Sequence, residues 1–128
     1  MADKSQLDVL KNGVVAWNAW REAHAEVRPD LAQAHLVGID LMGANFAGAD
    51  LRKADLRGTN LSDTVLVEAR LDGANFFRAT LERADLAGAS LVGAQFLTRG
   101  QLVAAHNWQS ALRDPDLACG APIPHQPP

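Results

Sequence analysis

From Pro29 to Thr98 the chain repeats one five-residue unit fourteen times without a break. The clearest stretch is Ala44-Asn45-Phe46-Ala47-Gly48, Ala49-Asp50-Leu51-Arg52-Lys53, Ala54-Asp55-Leu56-Arg57-Gly58. Taking the Leu or Phe as position i, this place holds Leu31, Leu36, Leu41, Phe46, Leu51, Leu56, Leu61, Leu66, Leu71, Phe76, Leu81, Leu86, Leu91 and Phe96. Position i−2 is Ala in ten units, the exceptions being Pro29, Ile39, Thr59 and Thr64. A helix of 3.6 residues per turn does not hold a five-residue repeat on one face over such a length, so periodicity overrides local propensity here.

A short extended segment that turns a corner after each unit does satisfy the pattern. Alternate side chains of a strand face the same way, so i−2 and i point inward together while i−1 points out. Positions i+1 and i+2 then form the corner. Four units close a square turn of about twenty residues, and turns stack at roughly 4.8 Å, giving an all-β solenoid of about three and a half turns and about 17 Å. Ala at i−2 fits a narrow axis where a larger side chain would overpack. All seven glycines of the tract (Gly38, Gly43, Gly48, Gly58, Gly73, Gly88, Gly93) fall at i+2, where a type II turn needs positive φ. The other seven corners (Gln33, Lys53, Asp63, Glu68, Arg78, Arg83, Thr98) are expected to use different turn geometries.

Helical caps are expected at both ends of the solenoid, as end repeats require. Residues 5–27 read as helical, with Ser5 and Asp8 at capping-box spacing and a stripe of Leu7, Leu10, Val14, Trp17, Trp20 and Val27. Gly13 sits inside that run and is a candidate break; Pro29 ends it. The two tryptophans are expected to plug the open end. After the repeats, residues 100–118 read as a second helical cap, with Thr98 and Gln101 at capping-box spacing and Leu102, Ala105, Trp108 and Leu112 as a stripe. Asp114-Pro115 fits an N-cap followed by proline at the first helical position. The expected division is therefore 1–28 N-terminal cap, 29–98 repeat solenoid, 99–119 C-terminal cap, and 120–128 a flexible Pro-rich tail.

The repeat tract resembles the pentapeptide repeat proteins, and the flanks Trp17-Asn18-Ala19-Trp20-Arg21 and Ala105-His106-Asn107-Trp108 are similar to those of some members. The resemblance implies a right-handed quadrilateral β-helix. It also brings in one branch of the family that imitates duplex DNA to inhibit or protect gyrase and topoisomerase.

Little in the sequence points to catalysis. There is no Cys/His metal spacing, Walker loop, GxGxxG or GxSxG motif, and His24, His35, His106 and His125 are scattered away from any serine or cysteine nucleophile. Residues twenty apart form columns: Asp30, Asp50, Arg70 and Ser90 beside Ala32, Arg52, Asp72 and Val92; His35, Asp55, Asn75 and Gln95; Asp40, Asn60 and Thr80. The first interleaves opposite charges, as a self-neutralising ladder would. The expectation is no enzyme and no cofactor, but a protein-interaction or scaffold module with a protein partner, no nucleic acid and no membrane. DNA mimicry is the alternative. A 17 Å prism would need about ten negative charges to match duplex DNA, whereas the tract has nine acidic and six basic residues. A single cysteine, Cys119, and the lack of a leader-like start or long apolar run suit a cytoplasmic protein.

Corner residues at i+1, Ser62 among them, are expected to face water, with Met42, Val67 and Val92 as isolated apolar departures, and one column departs further. Val37, Arg57, Phe77 and Leu97 occupy i+1 on the same side, three of the four apolar, and form the candidate interaction surface. Two occupants are open at this point: the chain's own C-terminal helix folding back through Leu102 or Trp108, or a second molecule.

Overall fold

The computed structural model describes residues 2–114. From residue 30 to residue 95 the chain is a coil whose successive turns are joined by parallel bridges twenty residues apart. Asp30 pairs with Asp50, Asp50 with Arg70 and Arg70 with Ser90; His35, Asp55, Asn75 and Gln95 form the next column. Each side of the coil contributes a single bridge residue, so the described repeats hold no longer strand. Backbone bonds run on both sides of each bridge, for example from Leu51 N to Arg70 O at 2.7 Å and from Asp50 N to Pro29 O at 2.8 Å. The core is the column of inward side chains: the Leu and Phe residues from Leu31 to Leu91 are all 0–1% exposed. Two of the i−2 exceptions bury hydroxyls that find partners, Thr59 Oγ1 donating to Leu36 O at 2.6 Å and Thr64 Oγ1 to Leu61 O at 2.7 Å.

The corners are more uniform than the sequence suggested. Gln33, Lys53, Asp63, Glu68, Arg78 and Arg83 have φ between 56° and 63°, beside 66–78° for the seven tract glycines. One corner geometry serves both groups, because each corner must return the chain to the same ladder; Ala34 N, for instance, closes its turn on Leu31 O at 3.0 Å. The left-handed region costs an L-residue roughly 1–2 kcal/mol. A second set of bonds supports it. The outward Asp or Asn at i−1 accepts from the backbone N–H at i+1, as in Asn45 to Ala47 (3.0 Å), Asp50 to Arg52 (3.1 Å) and Asn75 to Phe77 (3.0 Å). These are Asx turns, and they explain why eight of the fourteen units hold Asp or Asn at a position facing water. Thr98, the seventh corner expected among the non-glycine set, leaves the coil altogether as a helix N-cap with φ −95°. Ser62, at an i+1 position expected to face water, is only 7% exposed, its hydroxyl facing that of Thr80.

Two helices close the N-terminal end, α1 (Lys4–Lys11) and α2 (Val14–Ala23). Gly13 splits them at φ 112°. The first is capped by Asp3, whose carboxylate accepts from Ser5 N and Gln6 N, and not by Ser5. The second ends at Ala23, short of Val27, which is exposed. The cap is stitched to the first turn by side chains that satisfy its edge. Trp17 Nε1 donates to Asn45 O (2.8 Å), Asn18 Oδ1 accepts from Asn45 N (2.8 Å), Arg21 Nη2 donates to Ala47 O (2.8 Å), and Gln6 Oε1 accepts from Asp30 N (2.7 Å). Trp17 is the buried plug, 5.7 Å from the Phe46 ring; Trp20 stacks on its outer side, half-buried.

The other end differs from a helical cap over residues 100–118. Helix α3 is only Arg99–Val103, capped by the Thr98–Gln101 box, with Leu102 buried and Gln101 Nε2 donating to Phe76 O and Ala79 O. The chain then rejoins the coil: His106 bridges to Asp85 and Leu112 to Ser90, with a 3-10 turn at Trp108–Ser110 between. The unpaired edge of the last turn takes up this segment as a partial extra turn, which outcompetes a longer helix. Leu112 is consequently exposed, and Asp114 turns its carboxylate to Gly93 N (2.9 Å). The expected last turn from Pro115, Cys119 and the tail 120–128 lie outside the described residues.

Candidate interaction strip

The corner column of Val37, Arg57 and Phe77 carries two exposed large apolar side chains. Val37 and Phe77 project from it, 40% and 45% exposed, with Arg57 between them. Together with Gly38, Gly58 and Arg78 they line an open depression of about 360 Å³. The two glycines lower the wall at this point, and neither would meet a close neighbour if it carried a Cβ. The Arg78 guanidinium lies 5.5 Å from the centre of the Phe77 ring.

Leu97, expected as the fourth member, is not part of this surface. It is 9% exposed, whereas Phe96 is 63% exposed. The repeat slips by one residue at its last unit. Phe96 takes φ 57°, a left-handed conformation that bulky side chains rarely adopt, and its ring meets Phe77 edge-on at 5.5 Å. Packing accounts for the slip. Phe76 already fills the inward place one turn earlier, and Leu102 of α3 closes the same end, so a further phenyl ring inside would overpack the core. Leu97 takes the inward place in its stead. The strip is therefore Val37, Arg57, Phe77 and Phe96. Of the two open occupants, the C-terminal helix does not cover it: Leu102 is buried at the end of the coil, and Val37 and Phe77 stay exposed. The Ala94-Gln95-Phe96 unit keeps Ala and Phe in register, and its one departure is Gln95 where eight other units hold the Asp or Asn of the Asx turn. Arg78 was legible as the residue after Phe77.

Electrostatics on this side are mostly closed within the protein. Arg57 grips Asp55 with two bonds of 2.8 and 2.6 Å, and His35 Nδ1 lies 3.6 Å from the same carboxylate. The Arg57 hydrogen bonds hold the Asp55 carboxyl below its usual range, and Arg52 does the same for Asp50. Asp63 is held low by Arg83 across one turn. Ser90 Oγ donates to Asp72, and Asp40, Asn60 and Thr80 share hydrogen bonds. Much of the polar side-chain capacity of these columns is thus used within the ladder. Among the described residues, no group of three or more His, Cys, Asp or Glu is placed to hold a metal ion. No helix there is long and apolar enough to cross a membrane.

Comparison with known proteins agrees with the repeat. The family model for pentapeptide repeats matches eight copies over residues 30–63 and 64–96, more than half of the chain. No curated protein matches the chain. Among solved structures, a pentapeptide repeat protein from Nostoc PCC 7120 is 31% identical with a TM-score of 0.44, over 73% of this chain and 71% of that one. A pentapeptide repeat protein from the Arabidopsis thaliana thylakoid lumen is 29% identical with a TM-score of 0.34, over 47% of this chain and 52% of that one. QnrB1, a plasmid-mediated fluoroquinolone resistance protein, is 18% identical with a TM-score of 0.30, over 66% of this chain and 65% of that one. The chain thus spans about half to seven-tenths of these proteins, and at such scores none of the three carries an argument about function. The eight matched repeats and the twenty-residue bridge ladder built on them are the whole ground for the assignment, and it is sufficient: the chain belongs to the pentapeptide repeat family.

Proposed function

We propose that this protein is a non-catalytic interaction module, a rigid coil that presents the strip Val37–Arg57–Phe77–Phe96 to a protein partner. The coil is taken to be the right-handed quadrilateral β-helix of the family, and the chain to be cytoplasmic. The observation that carries the reading is Phe96. A phenylalanine held at positive φ with most of its ring in water is costly twice over, and it sits against the second exposed phenylalanine of the chain. Strained residues of this kind cluster where a surface is used. DNA mimicry is disfavoured by charge: Asp50, Asp55 and Asp63 are neutralised in place by Arg52, Arg57 and Arg83.

The test is Phe77→Asp. With no helix over it, the substitution should leave thermal melting and light scattering unchanged and remove whatever the wild type captures from native extract. Identical captures by both proteins would show that the strip is not the working surface.

A further inference from the structure

The depression beside the strip is more than an apolar patch, because both charged side chains that line it are cations. The depression is lined by Arg57 and Arg78 and by no acidic residue, in a protein whose formal net charge is −3. The two arginines are not equivalent. Arg57 is already neutralised by Asp55. Arg78 makes no ion pair among the described residues; it lies over the Phe77 ring and is exposed to solvent. A cation poised over the Phe77 ring, with its charge unmatched, selects a partner that brings both an apolar side chain and a carboxylate. A basic segment would be repelled here.

The dimensions narrow the partner further. Val37, Arg57, Phe77 and Phe96 stand on successive turns, so the strip is about 14 Å long at roughly 4.8 Å per turn. That matches about four extended residues at about 3.3 Å each.

Resting on the reading of the strip as an interaction surface, we infer that its ligand is a short extended peptide segment whose alternate residues, sharing one face, are aromatic or aliphatic with an acidic one among them. Its apolar side chains seat between Val37, Phe77 and Phe96, and a carboxylate pairs with the Arg78 guanidinium. A second copy of this chain is a poor match: paired strip to strip about a two-fold axis, it would set cation beside cation and supply no carboxylate.

The probe is a fluorescein-labelled octapeptide whose alternate residues are Phe, Leu, Glu and Phe, with Ser at the places between, compared with the same peptide carrying Gln for Glu. Fluorescence anisotropy with the full chain should give saturable binding with Kd below about 1 mM, weakened about fivefold or more by Gln in place of Glu. Arg78→Gln should reproduce that loss, and Phe96→Ser should remove binding while circular dichroism shows an intact fold. Raising salt should weaken the acidic peptide and not the Gln peptide. Equal affinity for both peptides, with Arg78→Gln neutral, would overturn the inference while leaving an apolar interaction surface standing. Failure of the acidic peptide to bind the wild type would also overturn it; the extract captures with Phe77→Asp judge the broader reading separately. A dimer in light scattering that Phe96→Ser dissociates would give the strip to a second copy and overturn the inference too.

Discussion

At the scale of single residues, this protein is governed by which way a side chain points and what the corner demands of φ. Gly48 shows the second term in isolation. Its φ is 68°, and a Cβ there would meet nothing within 4 Å. Gly48→Val should therefore destabilise by about 1–2 kcal/mol through backbone conformation alone, measured as a lowered urea midpoint with unchanged slope. A loss near zero would mean that the corner relaxes freely. The paired carboxyls give a pH signature. Asp3, Asp50, Asp55 and Asp63 are all held below their usual values in the folded chain, chiefly by side-chain hydrogen bonds from Ser5, Arg52, Arg57 and Arg83 respectively. A carboxyl lowered in the folded state contributes its full stabilisation above its unfolded value, about pH 4. It loses that contribution as the pH falls through the folded value. Stability should be flat from pH 7 to about 5 and decline below about 4. The double variant Asp50→Asn, Asp55→Asn should be less stable at pH 7 and decline less steeply in acid; parallel curves would detach these pairs from acid unfolding.

At the scale of elements, the coil was legible and its two ends were only partly so. The inward Leu and Phe residues, the narrow Ala column and the glycine corners each follow from a pattern repeated many times over, so every unit corroborates the next. The ends lack that redundancy. Gly13 and the Thr98–Gln101 box were readable because a positive φ and a cap are local events. The slip at Phe96 and the return of residues 104–114 to the coil were not, because both answer to the packing of neighbouring turns. The uniform corner geometry was missed for the same reason: a side chain such as Lys53 gives no local hint of a φ that the ladder imposes. The N-terminal plug offers a measurable contrast between two residues that look alike in sequence. Trp17 is fully buried against Phe46 and bonded to Asn45 O, whereas Trp20 stacks outside it. Trp17→Ala should cost about 3–5 kcal/mol, and Trp20→Ala distinctly less. Equal losses in denaturant titration would refute the assignment of Trp17 as the plug.

At the scale of the whole molecule, stability is shared along an axis. Each turn touches only the turns above and below, so the fold behaves as a sum of turn and interface terms between two caps. Residues 51–70 are one such turn, bridged below to the turn that ends at Asp50 and above to the turn that follows. The turn begins at Leu51 and ends at Arg70, which precedes Leu71 as Asp50 precedes Leu51, so a second copy inserted after Arg70 keeps every side in phase. It brings its own buried leucines and its own Asx bonds, and both caps meet the same neighbours as before. The duplicated protein should unfold in one cooperative transition, with a urea midpoint no lower than that of the parent. Its denaturant slope should grow roughly in proportion to the added buried surface. The contrasting variant is Leu61→Asp, which places an unpaired charge in the middle of the axis, where no water can reach it, and should abolish the transition. Should duplication lower the midpoint or split the transition while Leu61→Asp stays cooperative, the turns would not be interchangeable units, and stability would have to reside in the caps.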